Sequence, residues 1–163
     1  MGDGLLSFGG IAVPSDCDLT DTHYVYVLER EDLSEEDKYQ DTVFRYFVFK
    51  TDKWKTSSTF LDKADYNRQF DIIQRASADI IPMLRTGRCV RILCKNGRNR
   101  SVCVFLTVCR DLGMDVAEMF SKIESDYAHS RKQLLKDEVL REVSFVFVAP
   151  PPPCVAVVCT SGP

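Results

Sequence analysis

The hydrophobic positions of the chain follow two patterns: short continuous runs, and longer stretches that repeat every three to four residues. Runs rich in β-branched and aromatic residues cover 24–28, 43–49 and 89–94, and such runs are typical of buried strands. Between 66 and 84 the apolar residues instead recur at helical spacing, which predicts a helix with one buried face. The apolar positions of this helix are Phe70, Ile73, Ala76, Ile80 and Leu84.

The C-terminal half continues with helical patterns. Residues 101–111 are apolar nearly all round, so this helix is expected to be enclosed by its neighbours. A second helix is predicted over 115–127, where Asp115 and Glu118 occupy capping-box positions, and a third over 130–143. Strand and helix patterns that alternate in this way predict a mixed α/β fold.

The length of the chain and one run of prolines indicate its domain organisation. A chain of 163 residues suits one domain and is too short for two substantial ones. The prolines at 150–153 end regular structure, and the short apolar stretch after them either packs on the domain or forms a disordered end. We therefore predict one domain over 1–148 and a Pro-rich C-terminal tail over 149–163.

Composition and charge exclude several classes of protein. Hydrophobic residues make up 45% of the chain, which supports a packed core and argues against global disorder. The formal net charge of -3 argues against a surface built to coat nucleic acid. No apolar stretch approaches the roughly 18 residues of a membrane span, and the N-terminus has no positive signal region. These features predict a soluble cytoplasmic protein without membrane insertion. The nucleus stays open as a location, and the oligomeric state is undetermined.

The cysteines do not form a metal-binding pattern. There are seven of them, an odd number, with no CxxC pair and no histidine spacing that would suggest zinc. In the absence of a secretion signal, most are predicted to be reduced and to act as small buried apolar side chains. No metal site is predicted.

One cysteine has a neighbourhood that core packing does not explain. Residues 93–101 read LCKNGRNRS and lie between a predicted strand and a predicted helix. The pattern combines Cys, five residues and Arg with a Gly at the third intervening position and a Ser after the Arg. In a chain of this composition it is expected by chance only about 0.003 times. The segment is therefore a specific signal.

Elementary chemistry explains this spacing. A loop that joins a strand to a helix N-terminus directs several backbone N–H groups into one concave site, and the helix dipole adds positive potential there. Gly97 permits the turn. At the start of such a loop, Cys94 is in the position expected for a nucleophile. The planar fork of Arg100 can hold two oxygens of a phosphoryl group, and Ser101 can donate a hydrogen bond to the sulfur.

The segment resembles the signature loop of cysteine-based protein tyrosine phosphatases. The chain length and element order are similar to those of the small dual-specificity phosphatases. Residues 9–16 (GGIAVPSD) and the 24–28 run resemble the family's opening turn and first central strand. Residues 62–81 resemble the stretch from the general-acid loop into the following helix. Across 5–147, the resemblance implies a single domain with a central mixed sheet flanked by helices, and chemistry that needs no cofactor and no metal.

The resemblance also implies a role for each residue of the loop. Cys94 is the nucleophile that forms a phosphocysteine, Arg100 binds the phosphoryl oxygens, and Ser101 assists the sulfur. The residues predicted to cradle the substrate are Lys95, Asn96, Gly97, Arg98 and Asn99.

The general acid is predicted with alternatives. Family members carry an Asp on a mobile loop about thirty residues before the Cys, where it protonates the leaving oxygen and later activates water. Counting back from Cys94 leads to Asp62, whereas counting forward from the 43–49 run leads to Asp52. We predict Asp62 as the general acid, with Asp52 as the alternative and Asp65 third.

Two features depart from the usual family pattern. Leu93 precedes the Cys, where the family usually has a His that orders the loop. Lys95 and Arg98 make the loop more basic than the loops of common protein-directed members. Basic residues at these two positions resemble the loops of phosphoinositide phosphatases. The Gly-x-Asn-Arg sequence of the loop resembles that of RNA 5′-triphosphatases. The leading prediction is a dual-specificity phosphatase acting on phosphorylated protein. RNA 5′ ends and inositol phosphates are alternative substrates, and a catalytically weak phosphate-binding relative is the alternative function.

Overall fold

Strands and helices alternate along the chain, as the hydrophobic pattern predicts. The computed structural model describes residues 4–10, 22–29, 44–48, 63–126, 134–136, 138–145 and 158–161. The strands are β1 (Leu5–Gly10), β2 (Thr22–Leu28), β3 (Phe44–Phe47), β4 (Cys89–Cys94) and β5 (Val158–Ser161). The helices are α1 (Lys63–Arg85), α2 (Arg100–Asp111), α3 (Val116–Asp126) and α4 (Glu138–Ser144). The predicted α/β class with helices flanking a sheet is confirmed.

The strands form one sheet in the order β3-β2-β4-β1-β5, with β4 at its centre. All of the strand pairs in the described part of the chain are parallel, whereas a mixed sheet was expected. The reason lies in the connections, because every pair of hydrogen-bonded neighbours is joined by a long stretch of chain. Such connections suit parallel crossovers rather than tight hairpins.

The main core lies between the sheet and the helices. Helix α2 is buried along nearly its whole length, from Arg100 to Arg110, as its all-round apolar pattern predicts. It contacts the sheet and the other three helices. Phe105 of α2 meets Phe8 of β1 edge to face, with ring centroids 5.0 Å apart. This helix therefore anchors the loop that precedes it to the centre of the molecule.

Side chains alternate across β4, so its two faces have different surroundings. Val90 and Ile92 belong to the large core on the helix side. On the opposite face, Leu93 joins a small cluster with Tyr26 and Leu28 of β2.

Polar contacts join helix α1 to its neighbours. Ser77 Oγ donates to Asp111 Oδ2 at 2.7 Å, which connects α1 to the C-terminus of α2. The hydroxyl of Tyr46 on β3 donates to Asp79 Oδ2 of α1. Burial and this hydrogen bond raise the pKa of Tyr46 above its ordinary range, so the phenol is the neutral donor at physiological pH.

Two predictions for the C-terminal helices have different outcomes. The Asp115 cap is confirmed, because its Oδ1 accepts the backbone N–H of Glu118 at 3.1 Å. The helix expected over 130–143 is wrong at the described residues 134–136, which are not helical. Leu134 and Leu135 form a turn, Leu135 has a φ of 50°, and α4 begins at Glu138. Among the described helices, none has both the length and the hydropathy needed to cross a membrane.

Two strands lie where none was predicted. Strand β1 contains two glycines and a serine, which interrupt its hydrophobic run, so the pattern did not predict a strand there. Strand β5, from within the Pro-rich tail, pairs with β1. The apolar stretch after the prolines was expected either to pack on the domain or to be disordered. Residues 158–161 pack on the domain.

Candidate active site

The loop 95–99 joins the end of the central strand β4 to the start of helix α2. Parallel strands place their carboxyl ends at one edge of the sheet, and this edge is where α/β proteins commonly bind ligands. The backbone N–H groups at the start of α2 face the same region and give it positive potential. The strand–loop–helix context predicted for residues 93–101 is therefore confirmed.

Glycines in the loop and in β1 let the loop lie close against this strand. Gly97 has a φ of 71°, a left-handed conformation that glycine adopts without strain. A Cβ on Gly97 would fall within 3.0 Å of the backbone of Gly9 and Gly10. A Cβ on Gly10 would lie 2.6 Å from the carbonyl carbon of Asn96. The loop and the carboxyl end of β1 therefore fit together only because side chains are absent.

Cys94 is the buried residue at the start of the loop, with 3% of its surface exposed. Its Sγ accepts the backbone N–H of Gly97 at 3.2 Å and lies 3.2 Å from the Oγ of Ser101. In the thiol form the S–H donates to this hydroxyl oxygen, and in a thiolate the hydroxyl donates to the sulfur. Two donors are thus in place for a negatively charged sulfur.

Arg100 begins helix α2 and is 7% exposed. Its Nη1 donates to the carbonyl oxygen of Val48 at 3.2 Å. Val48 follows β3 and is itself fixed by the hydrogen bond from its N–H to the carbonyl of Leu28, at 3.0 Å. The guanidinium is therefore oriented by backbone from the neighbouring strands, at the helix end of the loop.

The remaining polar groups of the loop are a fixed carbonyl and two cationic side chains. The carbonyl of Arg98 accepts the backbone N–H of Leu135 at 2.7 Å. The side chains of Lys95 and Arg98 are both partly exposed. The Nε of Arg98 is buried without a hydrogen-bond partner. With Arg100, these residues bring three cations to one loop, which suits a phosphorylated ligand.

The structure brings most of the predicted site residues together. Cys94, Arg100 and Ser101 are adjacent, and the five predicted cradle residues form the loop between them. Asp62 and Asp52, the two candidates for the general acid, lie outside the described residues. Asp65 lies in the first turn of α1. Leu93, in the position before the cysteine, is buried in the small cluster on the far face of the sheet.

Sequence reasoning missed the residues that support the loop from elsewhere in the chain. These are Gly9, Gly10, Val48 and Leu135. A glycine pair at the end of a short apolar run could have suggested a close backbone approach. Val48 and Leu135 act through their backbone, so their side chains carry no signal.

The thiols and acidic groups of the described residues show no metal centre. No group of three or more His, Cys, Asp or Glu side chains is arranged to hold an ion there. The described cysteines Cys89, Cys94, Cys103 and Cys109 are all free thiols.

Comparisons with known proteins identify the fold. No protein-family model matches the sequence, and no curated protein matches it either. One solved structure with a similar fold is the crystal structure of PTPMT1 in complex with PI(5)P. The two chains superpose with a TM-score of 0.52 at 16% identity, over 82% of this chain and 86% of the other. The α/β fold predicted from the phosphatase resemblance is therefore shared with PTPMT1.

Proposed function

We propose that this protein is a phosphatase that hydrolyses phosphomonoesters through a phosphocysteine on Cys94. The observation that carries the proposal is the placement of its Sγ. The sulfur accepts the Gly97 N–H and lies against the Ser101 hydroxyl, between a central strand and the helix that begins at Arg100. The fold shared with PTPMT1, whose crystal structure was determined in complex with PI(5)P, adds support.

In the first step, the thiolate of Cys94 attacks the phosphorus atom. The S–P bond forms as the bond between phosphorus and the leaving oxygen breaks. The fork of Arg100 and the amides of the 95–99 loop hold the non-bridging oxygens, where negative charge is concentrated. The leaving oxygen takes its proton from the general acid, for which we propose Asp62 with Asp52 as the alternative.

In the second step, water attacks the phosphocysteine. The general-acid residue, now a carboxylate, takes a proton from the water as the O–P bond forms and the S–P bond breaks. Ser101 donates a hydrogen bond to the departing sulfur, and Gly97 offers a second donor. The products are inorganic phosphate and the free cysteine thiolate.

For the substrate, the leading candidate is phosphorylated protein, at tyrosine and at serine or threonine. A phosphoinositide is the second candidate substrate, and two observations favour it. Lys95 and Arg98 add positive charge beside Arg100, and the Nε of Arg98 is buried without a partner. PTPMT1 itself was solved with PI(5)P.

The test is phosphate release by the wild-type protein and by Cys94→Ser on one substrate panel. The panel holds an aryl phosphate, phosphotyrosyl and phosphothreonyl peptides, a phosphoinositide and a 5′-triphosphorylated RNA. Activity should disappear in Cys94→Ser and persist in the matched control Cys89→Ser, a partly exposed thiol at the other end of β4. If the folded wild-type protein releases no phosphate from any of these substrates, the proposed function is wrong.

The preferred substrate is tested by removing the two outer cations. A phosphoinositide carries a further phosphate group beside the one that is hydrolysed. If Lys95 and Arg98 bind that further group, phosphoinositide hydrolysis should fall much more than aryl phosphate hydrolysis in a Lys95→Ala/Arg98→Ala variant. An equal loss on both substrates would favour phosphorylated protein.

A further inference from the structure

Leu135 has a backbone conformation that its side chain disfavours. It is the non-glycine residue with a positive φ, 50°, in the described part of the chain, and it is fully buried. A left-handed conformation in a residue with a branched side chain is uncommon and persists only where the surroundings enforce it. Hydrogen bonds at both the N–H and the carbonyl of Leu135 hold this conformation.

The N–H and the carbonyl of Leu135 connect two different parts of the molecule. The N–H donates to the carbonyl of Arg98 in the candidate phosphate-binding loop, at 2.7 Å. The carbonyl accepts the Nε–H of Arg141 from helix α4, at 3.2 Å. Leu135 is thus a backbone bridge between the loop and α4.

Arg141 is held in place on its other side by an aromatic ring. Its guanidinium carbon lies 5.4 Å from the ring centroid of Phe120 on α3, a cation–π contact. Phe120 in turn packs edge to face against Phe145, with centroids 5.8 Å apart. The donor of Arg141 is therefore directed at Leu135 by contacts outside the loop.

The hydrogen bond from Leu135 orients one peptide group of the loop. The Arg98–Asn99 peptide is planar and trans, so its carbonyl and its N–H point in opposite directions. When Leu135 holds the carbonyl of Arg98, the N–H of Asn99 must point the other way. A peptide flip at this position would replace a donor with a carbonyl oxygen, which repels a phosphoryl group.

We propose that Leu135, held by Arg141, is a positioning residue for the reaction. It fixes the Arg98 carbonyl so that the Asn99 N–H is presented to the phosphoryl group on the loop. This inference rests on the proposed function. It adds that correct orientation of the loop depends on the junction of α3 and α4, through residues that do not touch the substrate.

The experiment compares Arg141→Leu, which loses the donor to Leu135, with Arg141→Lys, which keeps a cation and a donor. Glu142→Leu is the matched control, because Glu142 is an exposed neighbour on the same short helix. The readouts are kcat and KM for an aryl phosphate. They are combined with the amide chemical shifts of Asn99 and Leu135, with and without inorganic phosphate.

We expect Arg141→Leu to lower kcat about 10-fold with little change in KM, since one loop donor is misdirected rather than removed. The phosphate-induced shift of the Asn99 amide should shrink, Arg141→Lys should restore part of both effects, and Glu142→Leu should resemble the wild type. An unchanged kcat with unchanged Asn99 and Leu135 amides in Arg141→Leu would overturn the inference.

The two proposals fail in different ways. If the wild-type protein binds inorganic phosphate but hydrolyses nothing, the proposed function is wrong. The inference is then decided by whether Arg141→Leu weakens the phosphate-induced shift of the Asn99 amide. If phosphate does not shift the Asn99 amide of the wild-type protein, the positioning role itself is wrong.

Discussion

Two arginines near Cys94 are buried to almost the same extent but have different surroundings. Arg91, on strand β4 before the cysteine, is 6% exposed, and Arg100, at the start of α2 after it, is 7% exposed. Arg100 is directed by the carbonyl of Val48 into the region of the candidate phosphate site. Arg91 lies on the face of the sheet that Leu93 shares, away from the main core.

The contacts of Arg91 are few for a buried cation. Its Nη1 donates to Ser7 Oγ of β1 at 3.4 Å, a long hydrogen bond, and its Nε has no partner. No carboxylate of the described residues forms an ion pair with it. Its guanidinium packs against Gly9, where an added Cβ would lie 2.2 Å from Nη2 and 3.0 Å from Cζ of Arg91.

Equal burial has different consequences for these two arginines. A buried charge is costly unless it is paired or hydrogen-bonded. Arg100 lies at the start of α2 and donates to the carbonyl of Val48, so we expect its charge to bind the phosphoryl group of the proposed substrate. For Arg91, no described group brings that charge, so we expect it to lower the stability of the protein without contributing to activity.

The largest expected effect is on activity at Arg100. Replacement by Met removes the two-pronged contact with the phosphoryl oxygens, so kcat/KM for an aryl phosphate should fall about 10³-fold. Arg100→Lys keeps the charge but loses the planar fork, and should recover only part of the activity. Activity in Arg100→Met close to that of the wild type, measured on folded protein, would show that this side chain does not bind substrate.

Replacement of Arg91 should raise the stability of the protein and leave its activity intact. Arg91→Met replaces an underpaired buried cation with an apolar side chain of similar length, so the free energy of unfolding should rise by about 1–4 kcal/mol while phosphate release is retained. Urea denaturation of the wild type, Arg91→Met and Arg91→Lys measures this, and the Lys variant should show no gain. A loss of stability in Arg91→Met would reveal that Arg91 has an anionic partner and that the contrast with Arg100 is false.

The smallest expected effect concerns Tyr46, a buried polar group that does have its partner. Tyr46→Phe removes the hydrogen bond to Asp79, so the free energy of unfolding should fall by about 1 kcal/mol at neutral pH. The pKa of Tyr46 is raised in the folded protein, so its contribution is fully present below the ordinary phenol pKa of about 10 and is lost as the pH rises further.

The pH dependence provides the check for Tyr46. The difference in unfolding free energy between the wild type and Tyr46→Phe should be constant from pH 6 to pH 9 and should shrink above about pH 10. A difference that grows above pH 10 would contradict the direction of the pKa shift.

The elements that sequence analysis predicted well are those whose signal is local. The runs that became β2, β3 and β4 and the periodic stretch that became α1 bury continuous apolar faces. The 95–99 loop was also predictable, because its chemistry depends on neighbouring residues at fixed spacing.

Long-range requirements explain the failures. The glycines that weakened the signal of β1 are needed where Gly10 meets the backbone of the loop. Leu134 and Leu135 fit the periodicity of a helix, yet they form a turn because the loop carbonyl of Arg98 binds the Leu135 N–H. Neither requirement can be seen in a window of adjacent residues.

The order of the strands has a consequence for synthesis on the ribosome. Strand β1 pairs with β4 and β5 but not with β2, which follows it in the chain. The paired positions Ser7 and Arg91 are 84 residues apart. At ordinary rates of translation, this separation corresponds to about 4–17 s in which β1 has been made and its central neighbour has not. During that time β1 lacks both of its strand partners and is open to chaperones and to other chains, and the candidate site cannot form before the central strand emerges.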